Sequence, residues 1–213
     1  MLHFLENHDE ERIASPNFAS DPELGKPAMA VSALIGRSPT MIYFGQEVGE
    51  DARGNTAFNE PMRNSLFDYQ GLPALQRWAS DDSTPVEASL RDFYRRLLNL
   101  STAEIFAQGE YEPIDADNVH LFAFARWLDD EQLVVVSNFD AVNAHAQMLE
   151  IPANIIADWR LADGRYALSE KLYGTNNGNL VVDGGKAHVA VKLDPLESVV
   201  FKVGTANIDP HEQ

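Results

Sequence analysis

The chain has 213 residues, with 33 Asp plus Glu against 16 Lys plus Arg, a formal net charge of −17 and no cysteine. Such an acidic excess, spread along both halves, repels polyphosphates and anionic lipid, so no nucleic acid and no membrane are expected as partners, whereas neutral ligands are not disfavoured. The missing cysteines exclude disulfides, a thiol nucleophile and thiolate metal sites; 45% hydrophobic residues suffice for a core, and no apolar run approaches a membrane span.

Met1 to Leu5 reads as a short buried strand that breaks into the polar triplet Asn7-His8-Asp9. Taken alone, the triplet suits a turn, with Asp9 capping a helix that begins at Glu10, Glu11 and Arg12. It equally suits a barrel strand that delivers functional side chains to its C-terminal rim. A helix follows, with Asp21 or Gly25 as cap and Pro22 or Pro27 in its first turn. It carries Leu24, Ala28, Val31 and Leu34 or Ile35 at helical spacing and stops at Gly36. Thr40 to Phe44 reads as a second strand, and strand, helix, strand implies a parallel pair.

Residues 46 to 78 show no period and read as a long loop in which Arg63, Asp68, Tyr69 and Trp78 are the side chains suited to reach a ligand. Thr84-Pro85-Val86-Glu87 is a capping-box pattern, and Leu90, Phe93, Tyr94, Leu97 and Leu98 form the apolar stripe of the helix behind it. Ser101 and Glu104 repeat the capping pattern for a short helix that Gly109 ends.

Beyond about Tyr111 short strands replace helices: residues 121–127, 133–139, 146–151, 158–162, 165–172, 180–182, 187–191 and 198–203. Turn clusters such as Asp129-Asp130-Glu131, Asn176-Asn177-Gly178 and Asp183-Gly184-Gly185 separate several of them. Seven or eight strands without an intervening helix indicate an antiparallel sandwich or barrel, so an α/β half joins an all-β half near residues 108–115.

Four segments in this order resemble the α-amylase family, glycoside hydrolase family 13. Phe4-Leu5-Glu6-Asn7-His8-Asp9 is similar to its fourth conserved region, at the end of the seventh barrel strand. Pro39 to Glu47 is similar to its eighth strand, with the Tyr/Phe-Gly-x-Glu ending. Leu90 to Leu100 resembles its eighth helix, and the final hundred residues resemble its C-terminal β-sandwich. The resemblance implies an α/β plus all-β chain: the last units of an incomplete (β/α)8 barrel at 1–110, strands 7 and 8 with their helices, then an antiparallel β-sandwich at 111–213.

The activity implied is retaining hydrolysis of α-1,4-glucans or maltooligosaccharides. Asp9 matches the carboxylate that stabilises the oxocarbenium-like transition state, and His8 matches the histidine that hydrogen-bonds sugar hydroxyls. Asn7 and, from the segment after the eighth strand, Arg63 stand with them as substrate-binding candidates. Arg12 and Glu47 look like structural members of the motifs, with a salt-bridge or capping role. The nucleophilic Asp and general-acid Glu of the double displacement belong to barrel strands upstream of this stretch. The chain is therefore expected to begin within a barrel, to lack turnover by itself, and to leave Leu2, Phe4, Met41, Ile42 and Phe44 in need of cover.

Two rivals stand beside this reading: a carbohydrate-binding or assembly module that uses Trp127, Trp159 and Tyr173, and one half of a split glycosidase completed by another chain. Self-association or a complementing barrel fragment would then be the protein partner. No cofactor is expected. No metal is expected either, because the six His residues show no ligand spacing and the calcium site common in the family comes largely from other segments.

Overall fold

The chain divides into two units, Met1–Ala33 with Ser38–Asn99, and Leu34–Arg37 with Leu100–Gln213. The structure, a computed structural model, describes residues 1–57, 60–63, 71–175 and 177–206.

In the first unit the two segments read as parallel strands do run parallel, but the ladder is a single bridge between His3 and Thr40. His3 N donates to the Pro39 carbonyl at 3.0 Å and Met41 N to the His3 carbonyl at 2.8 Å. Among the described residues no further strand lies beside these two segments to extend such a ladder. Between them in sequence, Asp21 caps a 3-10 turn by accepting from Glu23 N at 2.9 Å, and helix α1 (Lys26–Leu34) follows. Gly45 turns the chain after the second segment with φ of +84°, where an added Cβ would lie 2.9 Å from Glu50 Cβ.

A two-residue ladder pairs β1 (Thr56–Ala57) with β2 (Glu60–Pro61). Helix α2 (Pro73–Ala79) begins within the stretch, residues 46 to 78, that reads as a long loop. Helix α3 (Pro85–Ser101) starts on the capping box expected for it: Thr84 N donates to Glu87 Oε2 at 2.9 Å and Glu87 N to Thr84 Oγ1 at 3.3 Å. Leu90, Phe93, Tyr94 and Leu97 are buried on one face of α3, and Tyr94 Oη accepts from Gln46 Nε2 at 3.0 Å.

The second unit opens with α4 (Glu104–Gln108), whose cap is Ala103 and makes no side-chain capping bond, in contrast to the capping pattern read at Ser101. Gly109 ends it as expected. A Cβ there would lie 2.3 Å from the Ile105 carbonyl and 2.7 Å from that of Trp127, so only glycine fits.

Eight antiparallel strands follow: β3 (Glu110–Ile114), β4 (Leu121–Leu128), β5 (Glu131–Asn138), β6 (His145–Ile151), β7 (Gly164–Glu170), β8 (Gly178–Asp183), β9 (Lys186–Leu193) and β10 (Ser198–Ala206). They hydrogen-bond as one sheet in the order β3-β4-β5-β10-β7-β8-β9-β6, and the edge strands β3 and β6 come into contact. The antiparallel β domain is thus present, as a single sheet curled almost closed rather than as two separate sheets. Its core alternates along the strands, as with Ala187, Val189, Val191 and Leu193 on β9. The Gly184-Gly185 turn joins β8 to β9 with both φ angles positive, as a two-residue hairpin loop requires.

Residues 158–162 are not a strand. Helix α5 (Ala153–Trp159) occupies this part of the chain, because Ile155, Ile156 and Trp159 bury one face at helical spacing after Pro152, and Arg160 closes it with φ of +55°. Trp159 is a core residue at 4% exposure, and Trp127 packs on the same core with its ring edge-on to Trp159 at 6.4 Å. Neither ring is the exposed sugar platform that the binding-module reading drew on. Arg126, buried within the second unit, donates to the carbonyls of Ile35 at 2.7 Å, Ile105 and Phe106 at 2.9 Å and Gly109 at 3.1 Å, so this cation is held by peptide dipoles.

Candidate active site

The polar triplet sits in the first unit above a buried ion pair. Glu6 is 2% and Arg12 1% exposed. Arg12 Nη1 donates to Glu6 Oε2 at 2.9 Å and Nη2 to the Phe44 carbonyl at 2.8 Å, while Ile13 N donates to Glu6 Oε1 at 2.7 Å. The guanidinium also lies over the Tyr43 ring, 4.3 Å from its centre. Burial pushes the Glu6 carboxyl above the ordinary carboxylate range, and Arg12 opposes that push. Arg12 thus has the salt-bridge role read for it, with a partner that sequence reasoning did not single out.

Between the two ends of this pair the chain makes the turn that carries the triplet. Asn7 Oδ1 accepts from Asp9 N at 2.8 Å and from Glu10 N at 3.0 Å, an Asx turn that fixes the backbone under Asp9. No helix starts at Glu10, so the capping reading of Asp9 does not apply. Asp9 is the exposed tip, with 66% of its side chain accessible, and His8 Nε2 lies 3.4 Å from Asp9 Oδ1 with its ring at 35%. Arg63 Nη1 donates to the backbone carbonyl of Asp9.

All four predicted site residues therefore meet within one turn and its neighbour. Asn7 and Arg63 hold the backbone of Asp9, whereas the Asp9 carboxylate is exposed with the His8 imidazole beside it. A cleft of about 370 Å³ beside the turn is lined by Leu5, Glu10, Glu11, Asn17, Phe18 and Arg63. The loop candidates Asp68 and Tyr69 lie outside the described residues, and Trp78 is engaged by Arg91, whose guanidinium carbon stands 4.1 Å over its ring. Glu47 lines a separate cavity with Arg91, Tyr94 and Arg95.

What this arrangement can do chemically is limited and specific. An exposed carboxylate with an adjacent imidazole can hydrogen-bond vicinal hydroxyls and stabilise positive charge that develops beside it.

No family model matches the chain. Among curated proteins it is 25% identical over 178 residues to an oligo-1,6-glucosidase of Parageobacillus thermoglucosidasius, a match that covers 74% of this chain and 29% of the relative. The chain resembles the C-terminal part of an α-amylase-family enzyme. Solved structures agree in fold. A maltogenic α-amylase, AmyB, from Thermotoga neapolitana superposes with a TM-score of 0.62 at 15% identity, over 96% of this chain and 41% of its own. AmyP in complex with maltose superposes with a TM-score of 0.65 at 21% identity, over 98% and 41%. The chain thus spans less than half the length of the α-amylase-family proteins it matches.

Proposed function

We propose that the chain is the C-terminal portion of an α-amylase-like retaining glycoside hydrolase acting on α-1,4-glucans. Residues 1–110 contribute the last two strand–helix units of its (β/α)8 barrel, and 111–213 form its C-terminal β domain. Asp9 supplies the transition-state carboxylate, His8 binds sugar hydroxyls, and Asn7 and Arg63 serve the same site. The observation that carries this reading is the turn at Asn7 to Asp9: an exposed carboxylate with an imidazole beside it, on a backbone that Asn7 brackets and flanked in sequence by the buried Glu6–Arg12 pair.

The nucleophile and the general acid come from polypeptide beyond these residues, and the chain alone turns over no glycoside. The lengths of the relatives support this, since the chain matches 29% of one and 41% of two others. Exposed apolar side chains favour a completing partner or a longer chain: Leu2 is 45%, Phe4 42% and Phe18 69% accessible. At about 25 cal/mol per Å² of buried apolar surface, covering these three yields several kcal/mol.

The test is an assay of the purified chain on maltooligosaccharides, alone and with a polypeptide carrying the missing barrel units. No turnover alone, and hydrolysis on completion that disappears in Asp9→Asn, is the expected result. Turnover by the chain alone, or a completed enzyme indifferent to Asp9→Asn, refutes the reading.

A further inference from the structure

In the second unit the pairing of β4 with β5 and the short connection from β5 to β6 bring together three side chains that lie 20 and 5 positions apart in sequence. His120 immediately precedes β4, Asp140 follows β5, and His145 opens β6. One nitrogen of each imidazole and one carboxylate oxygen of Asp140 all lie within 4.8 Å of one another. The two rings stack with centres 5.2 Å apart and planes inclined by 19°.

The carboxylate at the centre is already oriented. Asp140 Oδ1 accepts from Val142 N at 2.8 Å and Asn143 N at 2.9 Å, which leaves Oδ2 turned toward Asn143 Nδ2 at 3.0 Å and His145 Nε2 at 3.1 Å. The loop that bears it is anchored on Asn138, which is fully buried. Asn138 Oδ1 accepts from Asp140 N at 2.9 Å, and its amide donates to the carbonyls of Asn143 at 3.0 Å and Asp194 at 2.9 Å. A ligand engaging Asp140 therefore has no loop to order first.

The proton positions also follow from the network. Asn118 Oδ1 accepts from His120 N at 3.0 Å, so its Nδ2 is the atom that faces His145 Nδ1 at 3.2 Å. Nδ1 must accept, the neutral ring carries its proton on Nε2, and that proton points at Asp140 Oδ2.

We propose that His120, Asp140 and His145 form a binding site for a divalent transition-metal ion of the zinc class. Two imidazole nitrogens and one carboxylate oxygen are donors that suit Zn²⁺ and its neighbours in the first row; Mg²⁺ and Ca²⁺ take oxygen ligands. Three protein ligands leave a further position for water. Bonds of about 2.1 Å require the three donors to draw closer than they stand, and exposed His120 is free to swing inward. The ion takes the Nε2 lone pair of His145, the ring's single proton moves to Nδ1, and Asn118 turns its amide oxygen from His120 N to accept it. The Asn118–His120 N hydrogen bond is thereby given up as His120 swings inward. The new bond from His145 Nδ1 to Asn118 is the outer hydrogen bond that metal-bound histidines usually make. The inference uses only residues of the β domain and is independent of the glycosidase reading.

The experiment titrates Zn²⁺ calorimetrically into the full chain after treatment with a chelator, beside His120→Ala, His145→Ala and Asn118→Ala. One ion per chain is expected, with affinity lost at least about 100-fold in either histidine variant and about tenfold in Asn118→Ala. Millimolar Mg²⁺ is expected not to compete. Replacement by Co²⁺ is expected to give the visible absorption of a four-coordinate ion. Because His120 is at the surface, His120→Ala keeps the test decisive even where His145→Ala fails to fold, and circular dichroism distinguishes the cases. Absence of binding by the parent chain overturns the proposal. So does unchanged affinity in folded His120→Ala, which would put the ion elsewhere on the acidic surface.

Discussion

Glu6 and Arg12 meet as an ion pair at 2.9 Å with almost none of either side chain exposed, and the same guanidinium reaches across to the Phe44 carbonyl. The pair therefore ties the base of the candidate active-site turn to the segment parallel to it. Removing one member leaves the other's charge buried, which costs far more than the pair itself contributes. Arg12→Met is expected to destabilise the first unit by about 3–5 kcal/mol, and Arg12→Met with Glu6→Leu to recover much of that. Denaturant unfolding read by hydrogen exchange at residues 6–13 measures both. A double variant no better than the single would show that the loss comes from the Phe44 and Tyr43 contacts instead.

Glu50 is 1% exposed, and its carboxylate accepts from two backbone groups, Ala74 N at 3.0 Å and Ala52 N at 3.4 Å. Burial raises its pKa above the ordinary 4.5, more than those two bonds lower it. A carboxyl that the fold holds more readily protonated adds stability below its unfolded pKa and loses it as pH climbs through the folded value. The first unit is therefore expected to lose stability as pH rises above about 4.5, with Glu6 adding in the same direction. Glu50→Gln removes one titrating group, so stability measured from pH 4.5 upward should fall less steeply, whatever its absolute level. An unchanged slope would count against Glu50 as a source.

Local chemistry was what the sequence made legible. The Thr84 to Glu87 capping box, the stop at Gly109 and the Gly184-Gly185 turn each depend on residues within a few positions, and each is present. Features that depend on neighbours were not readable in the same way. The segment at Met1 to Leu5 has strand composition yet makes one bridge, since composition does not supply flanking strands. Trp159 resembled a strand aromatic and proved to be the core face of α5, where Ile155 and Ile156 share its burial at helical spacing. The Glu6–Arg12 pair is six residues apart across a turn, with no periodicity to announce it. His120 reaches Asp140 and His145 through the pairing of β4 with β5, which ligand-spacing rules do not describe.

Asp9 and Asn7 should separate function from stability. Asp9 has 66% of its side chain exposed, so Asp9→Asn is expected to change unfolding free energy by less than about 0.5 kcal/mol. Asn7 Oδ1 accepts two backbone N–H groups, and Asn7→Ala is expected to cost about 1 kcal/mol through the loosened turn. In a completed enzyme both should lower kcat/KM, but only Asn7→Ala should also lower the thermal midpoint of the first unit. A large loss of stability in Asp9→Asn would assign Asp9 a structural role.

Glu170, at the end of β7, is 4% exposed and collects four backbone donors in the second unit. Oε1 accepts from Leu172 N at 2.7 Å and Val200 N at 3.1 Å, and Oε2 from Tyr173 N at 2.5 Å and Gly174 N at 2.7 Å. One carboxylate thus satisfies the turn that follows β7 and a backbone N–H of neighbouring β10. Glutamine keeps a single accepting oxygen and sets its NH2 against two of the four donors; alanine removes the carboxylate that all four share. An unsatisfied buried donor costs about 1–3 kcal/mol, so stability should fall in the order parent, Glu170→Gln, Glu170→Ala, with a loss of at least about 3 kcal/mol for alanine. Thermal unfolding followed by the β-sheet signal in far-UV circular dichroism measures the series. If glutamine matched the parent, the Tyr173 and Gly174 bonds would be contributing nothing, and the turn would be held by its own backbone geometry.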